Sequence, residues 1–136
     1  MPPLSDDRAT TRRSGDIVML PAAANKKFFA GALIARDSSG NATPGATATT
    51  LFGVGRCREQ IDNSAGLAGA ANVPIEKGIF NWANSSGDPC TRADIGNNCY
   101  MVDDFTVSKS NAGGNTQSIA GKIYDVDAQG VWTDMR

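Results

Sequence analysis

The sequence predicts an all-β fold: a small single-domain β-barrel with an extended N-terminal arm and at most one short helix. Three observations predict it. Short runs of β-branched and aromatic residues are separated by Gly, Asn, Asp and Ser clusters, the pattern of a barrel or sandwich. Helix formers are poorly placed: Glu occurs only at 59 and 76, and the alanines lie among Gly, Thr, Asn and Ser. The 136 residues suit one domain, and a chain this size buries roughly two-thirds of its extended surface, enough for one core without disulfide staples.

Residues 1–14 form the arm and 15–136 the barrel. The arm holds Pro2, Pro3 and five charged residues, has almost no apolar periodicity, and is separated from the first strand by Ser14-Gly15. Strands are expected near Asp16–Pro21, Lys27–Arg36, Leu51–Gln60, Val73–Trp82, Cys99–Val102, Phe105–Ser108, Ile119–Asp127 and Val131–Met135. Asp37-Ser38-Ser39-Gly40-Asn41 is a turn whose glycine supplies positive φ. Asn111-Ala112-Gly113-Gly114-Asn115 reads as a loose loop. Ala128-Gln129-Gly130 reads as a three-residue turn closing a terminal hairpin. Thr91–Gly96 is one short helical turn stopped by its glycine.

Charge and composition exclude several function classes. Thirteen basic against fourteen acidic residues argue against a nucleic-acid binder, whose phosphate contacts need a basic face. Without histidine there is no His-dependent triad, His-bearing zinc site or imidazole acid/base pair. The opening Met1–Asp7 has neither a basic nor an apolar region, so a secretory signal is not expected. No apolar run approaches the roughly 18 residues of a membrane helix. The glycosylation patterns at Asn41 and Asn84 therefore carry little weight. Cys57, Cys90 and Cys99 read as reduced, buried thiols, with a Cys90–Cys99 disulfide as the rival.

Residues suited to chemistry are few. Gly53-Val54-Gly55 opens like a dinucleotide fingerprint, but Arg58 stands where the third glycine belongs. Asp125 and Asp127 share a strand face that could hold a hard cation, yet a solvated edge beside a turn is the commoner reading. Asp88 and Asp94 read as turn and capping residues. Arg56 and Arg58 flank Cys57 and could lower its pKa, but in a strand they project opposite it. Most of the nine aromatic residues read as core. No catalytic, cofactor or metal residue is expected, and no enzymatic activity.

The arm carries the remaining candidates. Arg8, Arg12 and Arg13 suit paired contacts with carboxylates or backbone carbonyls of another chain. Thr10 and Thr11 favour an extended strand that can add to a partner's sheet edge. The arm nets +1 and the remainder −2. Two readings stand: a disordered terminus, or an arm that orders on a partner surface.

Phe29–Ala35, Gly53-Val54-Gly55 and Glu76–Phe80, followed by Ile95–Asp104 and Ala120–Asp127, resemble the phage head decoration, or capsid cement, proteins. The resemblance spans roughly residues 14–135 through its short strands and glycines. It implies a small β-barrel, usually trimeric, made in the host cytoplasm and seated on the outer capsid surface of the virion. The implied partners are the major capsid protein and further copies of the chain itself, with no nucleic acid, membrane or cofactor. The arm carries no motif of that family. Two other classes fit the composition: a phage tail or fibre accessory β-domain, and a small ligand-binding or catalytic β-barrel.

Overall fold

The structure, a computed structural model, describes residues 3–111 and 114–136. The described residues are all-β, with twelve strands. In chain order these are β1 (Ile17–Pro21), β2 (Lys26–Phe28), β3 (Leu33–Arg36), β4 (Ala42–Pro44), β5 (Phe52–Cys57) and β6 (Ile61–Asn63), then β7 (Asn72–Glu76), β8 (Ile79–Asn84), β9 (Asn98–Met101), β10 (Thr106–Ser108), β11 (Ile119–Asp127) and β12 (Gly130–Asp134). Five of them close a barrel in the order β10-β8-β12-β11-β9, with β9 and β10 paired across the seam. Five others form a sheet in the order β1-β7-β5-β3-β4, and β2 pairs with β6 as a small flap. The predicted β-barrel is present, with a second sheet built onto it.

Two apolar clusters replace the single core expected. Leu33 and Ala35 join Trp82, Met101, Val107, Ile123 and Val131 inside the barrel. Ile34, between them, joins Phe28, Val54, Val73 and Ile75 on the opposite face of the sheet. Alternate side chains of a strand point to opposite faces, so β3 divides the two cores and belongs to both. Leu33, Ile34 and Ala35 are each 0% exposed. Continuous apolar character is what a strand buried on both faces requires.

Close approach of the sheet to the barrel depends on glycine. A Cβ at Gly53 would lie 2.1 Å from the Ala120 carbonyl oxygen, and one at Gly45 would lie 2.9 Å from that of Asp103. Gly53-Val54-Gly55 is thus a packing device inside β5 and not a phosphate loop: a Cβ at Gly55 would meet the Glu76 carbonyl at 2.2 Å.

Three expected strand ranges need correction. Lys27–Arg36 is two strands, because Ala32 N–H bonds back to Phe29 O (3.1 Å) and Gly31 takes φ +86°, turning the chain between β2 and β3. Val73–Trp82 is also two: β7 stays in the sheet, while β8 crosses into the barrel. Leu51–Gln60 ends at Cys57, and β4 and β6 were not expected at all. Three residues are too few for a periodic signal, and side chains fix both short strands. Asp37 Oδ1 accepts from Ser39 and Asn41 N–H (2.9 Å each) to set up β4. Asn63 Nδ2, at the end of β6, donates to Ala23 O and Leu67 O.

The turns adhere to their residues more closely. The terminal hairpin is tighter than expected: Asp127 pairs with Gly130, leaving the two-residue loop Ala128-Gln129, and Gly130 takes φ +137°. The helical turn shrinks to one 3-10 turn, Arg92–Asp94, because the backbone already leaves the helical region at Ile95 (φ −56°, ψ 129°), one residue before Gly96 at φ +96°. Asp94 Oδ2 accepts from Thr91 N–H at 2.8 Å, the capping role expected of it, whereas Asp88 is no local turn or cap: its Oδ2 accepts from Ser110 N–H at 3.0 Å and ties two distant loops together. Within the expected loop at 111–115, Ala112 and Gly113 lie outside the described residues. Asn111 clamps Gln117 through both amide atoms (2.8 and 3.0 Å).

This packing sets two stability outcomes. Gly53→Ala should destabilise by about 3 kcal/mol, the upper end of overpacking, while Gly87→Ala, facing open space, should change stability by less than about 0.5 kcal/mol. Urea unfolding measures both. Ile34→Ala lies outside the barrel core, yet it should lower the transition followed by Trp82 and Trp132 fluorescence by about 2–5 kcal/mol, since β3 couples both cores.

Candidate functional site

The arm stands away from the folded body. Every residue from Pro3 to Asp16 is exposed, and none from 3 to 14 belongs to a strand. The surface of 8038 Å² exceeds the roughly 6,800 Å² of a compact chain of this mass, as an unpacked arm requires. Its hydrogen bonds are local: Thr10 N–H to Arg8 O (2.9 Å), Arg8 Nη1 to Thr10 Oγ1 (3.3 Å) and Arg13 Nη2 to Ile17 O (3.5 Å). Thr11 and Arg12 form no hydrogen bond or ion pair among the described residues. The five predicted contact residues are therefore together and accessible, but they meet nothing beyond the start of β1. Pro2 lies outside the described residues.

The arm runs directly into an open sheet edge. β1 pairs with β7 alone, antiparallel, with Ile17 opposite Glu76 and Met19 opposite Pro74. Lys77 N–H bonds to Asp16 O, and Ala22 N–H to Ala71 O. By the alternation of antiparallel ladders, residues 16, 18, 20 and 22 face β7, so the backbone groups of Ile17 and Met19 point away from it. Their side chains are also outward, 39% and 57% exposed. Beside them Met19, Arg58, Glu59 and Pro74 line a shallow hollow of about 320 Å³. The sequence signal for this edge is Ile17-Val18-Met19-Leu20, apolar at every position. Periodicity alone does not separate a doubly buried strand from one with an unpartnered face.

The candidates for chemistry take structural places. Cys57 is 1% exposed, with Arg56 and Arg58 projecting to solvent, as the alternation of a strand predicts. Burial pushes its thiol up, against a weaker opposing hydrogen bond to Glu59 O. Cys90 and Cys99 are buried free thiols in the barrel core. Burial, with Cys99 nearby, raises Cys90 to about 12. Asp125 and Asp127 are both exposed. Asp127 accepts from Trp132 Nε1 (2.9 Å) and Gln129 N–H (2.8 Å), which hold its carboxyl below the ordinary range. Among the described residues, no three His, Cys, Asp or Glu side chains are grouped so as to hold a metal ion.

Most of the nine aromatic residues are expected in the core, yet Phe29, Phe52, Phe105 and Tyr124 are each at least half exposed. Each sits where a strand ends or faces outward, a placement that depends on pairing and not on the residue. Lys27 lies over Phe29 and Arg36 over Phe52, both at 5.4 Å, covering part of that surface with cations. A groove of about 510 Å³ runs over Phe52, Ile119 and Met135, rimmed by Lys122, Asp134 and Arg136. Arg136 bonds Asp134 through both guanidinium and backbone and keeps the carboxyl ionised, below the usual range. A second cleft, about 390 Å³, lies between Arg56, Phe80, Asn81 and Trp132. Arg56 stacks over Phe80 at 4.7 Å and is paired with Glu76. These charged groups satisfy one another, which suits contact surfaces better than proton transfer.

Comparison with known protein families, curated proteins and solved structures returns no match.

The buried thiols make a measurable signature. At pH 8 a thiol of pKa about 12 is ionised only to about one part in 10⁴, so Ellman's reagent should leave Cys90 unmodified until the protein is denatured. Because the folded pKa lies above the unfolded value near 9, this group's stabilisation is complete below pH 9. It is lost as pH rises towards 12. Unfolding midpoints measured from pH 8 to 11 should fall accordingly.

Proposed function

We propose that this chain is a bacteriophage capsid decoration protein, which binds the outer surface of the major capsid lattice as a trimer and stabilises the head. The observation that carries the reading is the pairing of a body stiffened by two cores with an arm, residues 3–14, that packs on none of it. The sequence resemblance to cement proteins across 14–135 points the same way. Such a protein needs area and copy number, not reaction chemistry. The body acts as a post, and the arm reaches a neighbouring chain, where Arg8, Arg12 and Arg13 engage carboxylates or carbonyls and Thr10-Thr11 runs extended. A trimer presents three arms at once, so individually weak contacts act together against the outward pressure of packed DNA.

Gel analysis of purified virions is expected to give a band near 14.2 kDa in a copy number comparable to the major capsid protein. Its absence from mature particles overturns the proposal. Deleting residues 2–13 should leave thermal unfolding of the dilute, monomeric protein within about 2 °C of the full chain, because residues 3–13 pack on none of the body. The same deletion should weaken attachment to undecorated heads at least about tenfold, or 1.4 kcal/mol. Full attachment by the truncated protein would make the arm a frayed terminus.

A further inference from the structure

We propose that the outer edge of β1 is a strand-acceptor site, and that its occupant is the arm of a second copy of this chain, residues 8–13 pairing along Ile17–Met19. The acceptor is defined by topology. A closed barrel has no edge, and the far side of the five-stranded sheet is partly covered where Ala22 bridges Ala42 and Ala23 N–H bonds to Ala42 O. Among the described residues β1 is the longest strand with a single partner strand. Exposed edges are commonly blunted by lysine, a bulge or a covering loop. β1 has no charged residue, runs in unbroken register with β7, and turns Ile17 and Met19 outward, with Pro21 closing one end and its own Arg13 resting on Ile17 O at 3.5 Å at the other, a long contact that an incoming strand can replace.

The occupant is chosen by chemistry and reach. A strand added here needs free backbone groups, and the arm supplies them, since its hydrogen bonds join only near neighbours. Asp16 adjoins the edge, and Glu59 lines the hollow beside Met19. Both are exposed carboxylates that Arg8, Arg12 and Arg13 can meet, and the arm's net +1 faces a body of −2. Arg58 shares that hollow, so the attraction is local to Asp16 and Glu59. Twelve extended residues reach roughly 40 Å, well beyond the length of β1, so the arm can cross to a neighbour. Each copy then donates one arm and offers one edge. That heterologous contact closes a ring when its rotation permits. The ring of three rests on the proposed capsid function, whereas the arm–edge pairing needs no capsid.

Cross-linking between two full-length variants tests this pairing. One carries Thr11→Cys, the other Met19→Cys and an isotopic mass label, and they are mixed at high concentration under mild oxidation. The native cysteines are buried and do not compete. The mixed Thr11–Met19 disulfide dimer is expected at least tenfold above that of Thr11→Cys with Gln129→Cys, which sits on the barrel hairpin. A yield no higher than this control overturns the proposal. So does a doubly substituted chain that, when diluted among unsubstituted copies, bridges arm to edge within one molecule, because the edge then belongs to its own arm. Mixed dimers from a protein absent from virions would leave the arm–edge contact standing and remove the capsid reading.

Discussion

Double burial of β3 is the constraint on which the rest of this molecule depends. Leu33, Ile34 and Ala35 have no solvent on either side, so the layers above and below this strand must cover it with apolar groups, and polar neighbours such as Arg56 must turn their charged ends away to the surface. Leu33 and Ala35 commit the sheet to the barrel, and Ile34 commits it to the second core. A slip of one residue would exchange those faces and bury Arg36, now exposed, so register is strongly specified. The glycines at 45, 53 and 55 answer the same demand, because backbone atoms of neighbouring strands occupy the space their side chains would need.

Side chains of Asn, Asp and Gln supply what short strands lack. With many strands only three to five residues long, the sheets leave many loop backbone groups without ladder partners. Asn84 pairs with Cys90 through both amide atoms, Asn111 does the same with Gln117, and Ser118 ties Leu51 and Ala48 to the barrel. These bonds satisfy buried groups whose desolvation would otherwise cost about 1–3 kcal/mol each. The result is a body whose loops are pinned from within, so its outer residues need not serve the fold. Phe29, Phe105 and Tyr124 can then remain exposed, and β1 can keep an open side.

The contrast between pinned body and unpacked arm gives the molecule its character as a connector. Nothing in residues 3–14 buries apolar surface against the body, so whatever orders the arm must come from outside it. The arm also ends where β1's open edge begins, which places a potential strand donor and a potential strand acceptor on one chain. Donor and acceptor on the same protomer are the requirement for propagation from copy to copy.

Only local features were legible in the chain itself. The all-β class, the unpacked arm with Arg8, Thr10, Thr11, Arg12 and Arg13, the inward Cys57 and the capping role of Asp94 all rest on residue type and short-range alternation, which operate within a few residues, whereas the tie from Asp88 to Ser110 spans the fold. How the strands are shared was settled by tertiary structure. Val73–Trp82 carries one continuous β-type pattern, yet β7 and β8 part at Lys77-Gly78 to join different sheets. β6 exists only because the distant β2 pairs with it, and β4, though it follows β3 through the Asp37 turn, is too short to show a period of its own. The open side of β1 was likewise invisible, because Ile17-Val18-Met19-Leu20 is equally apolar whether one face is buried or both. Side-chain pattern reports the faces of a strand, whereas its edge is free or paired according to which strands meet its backbone, and here only β7 does.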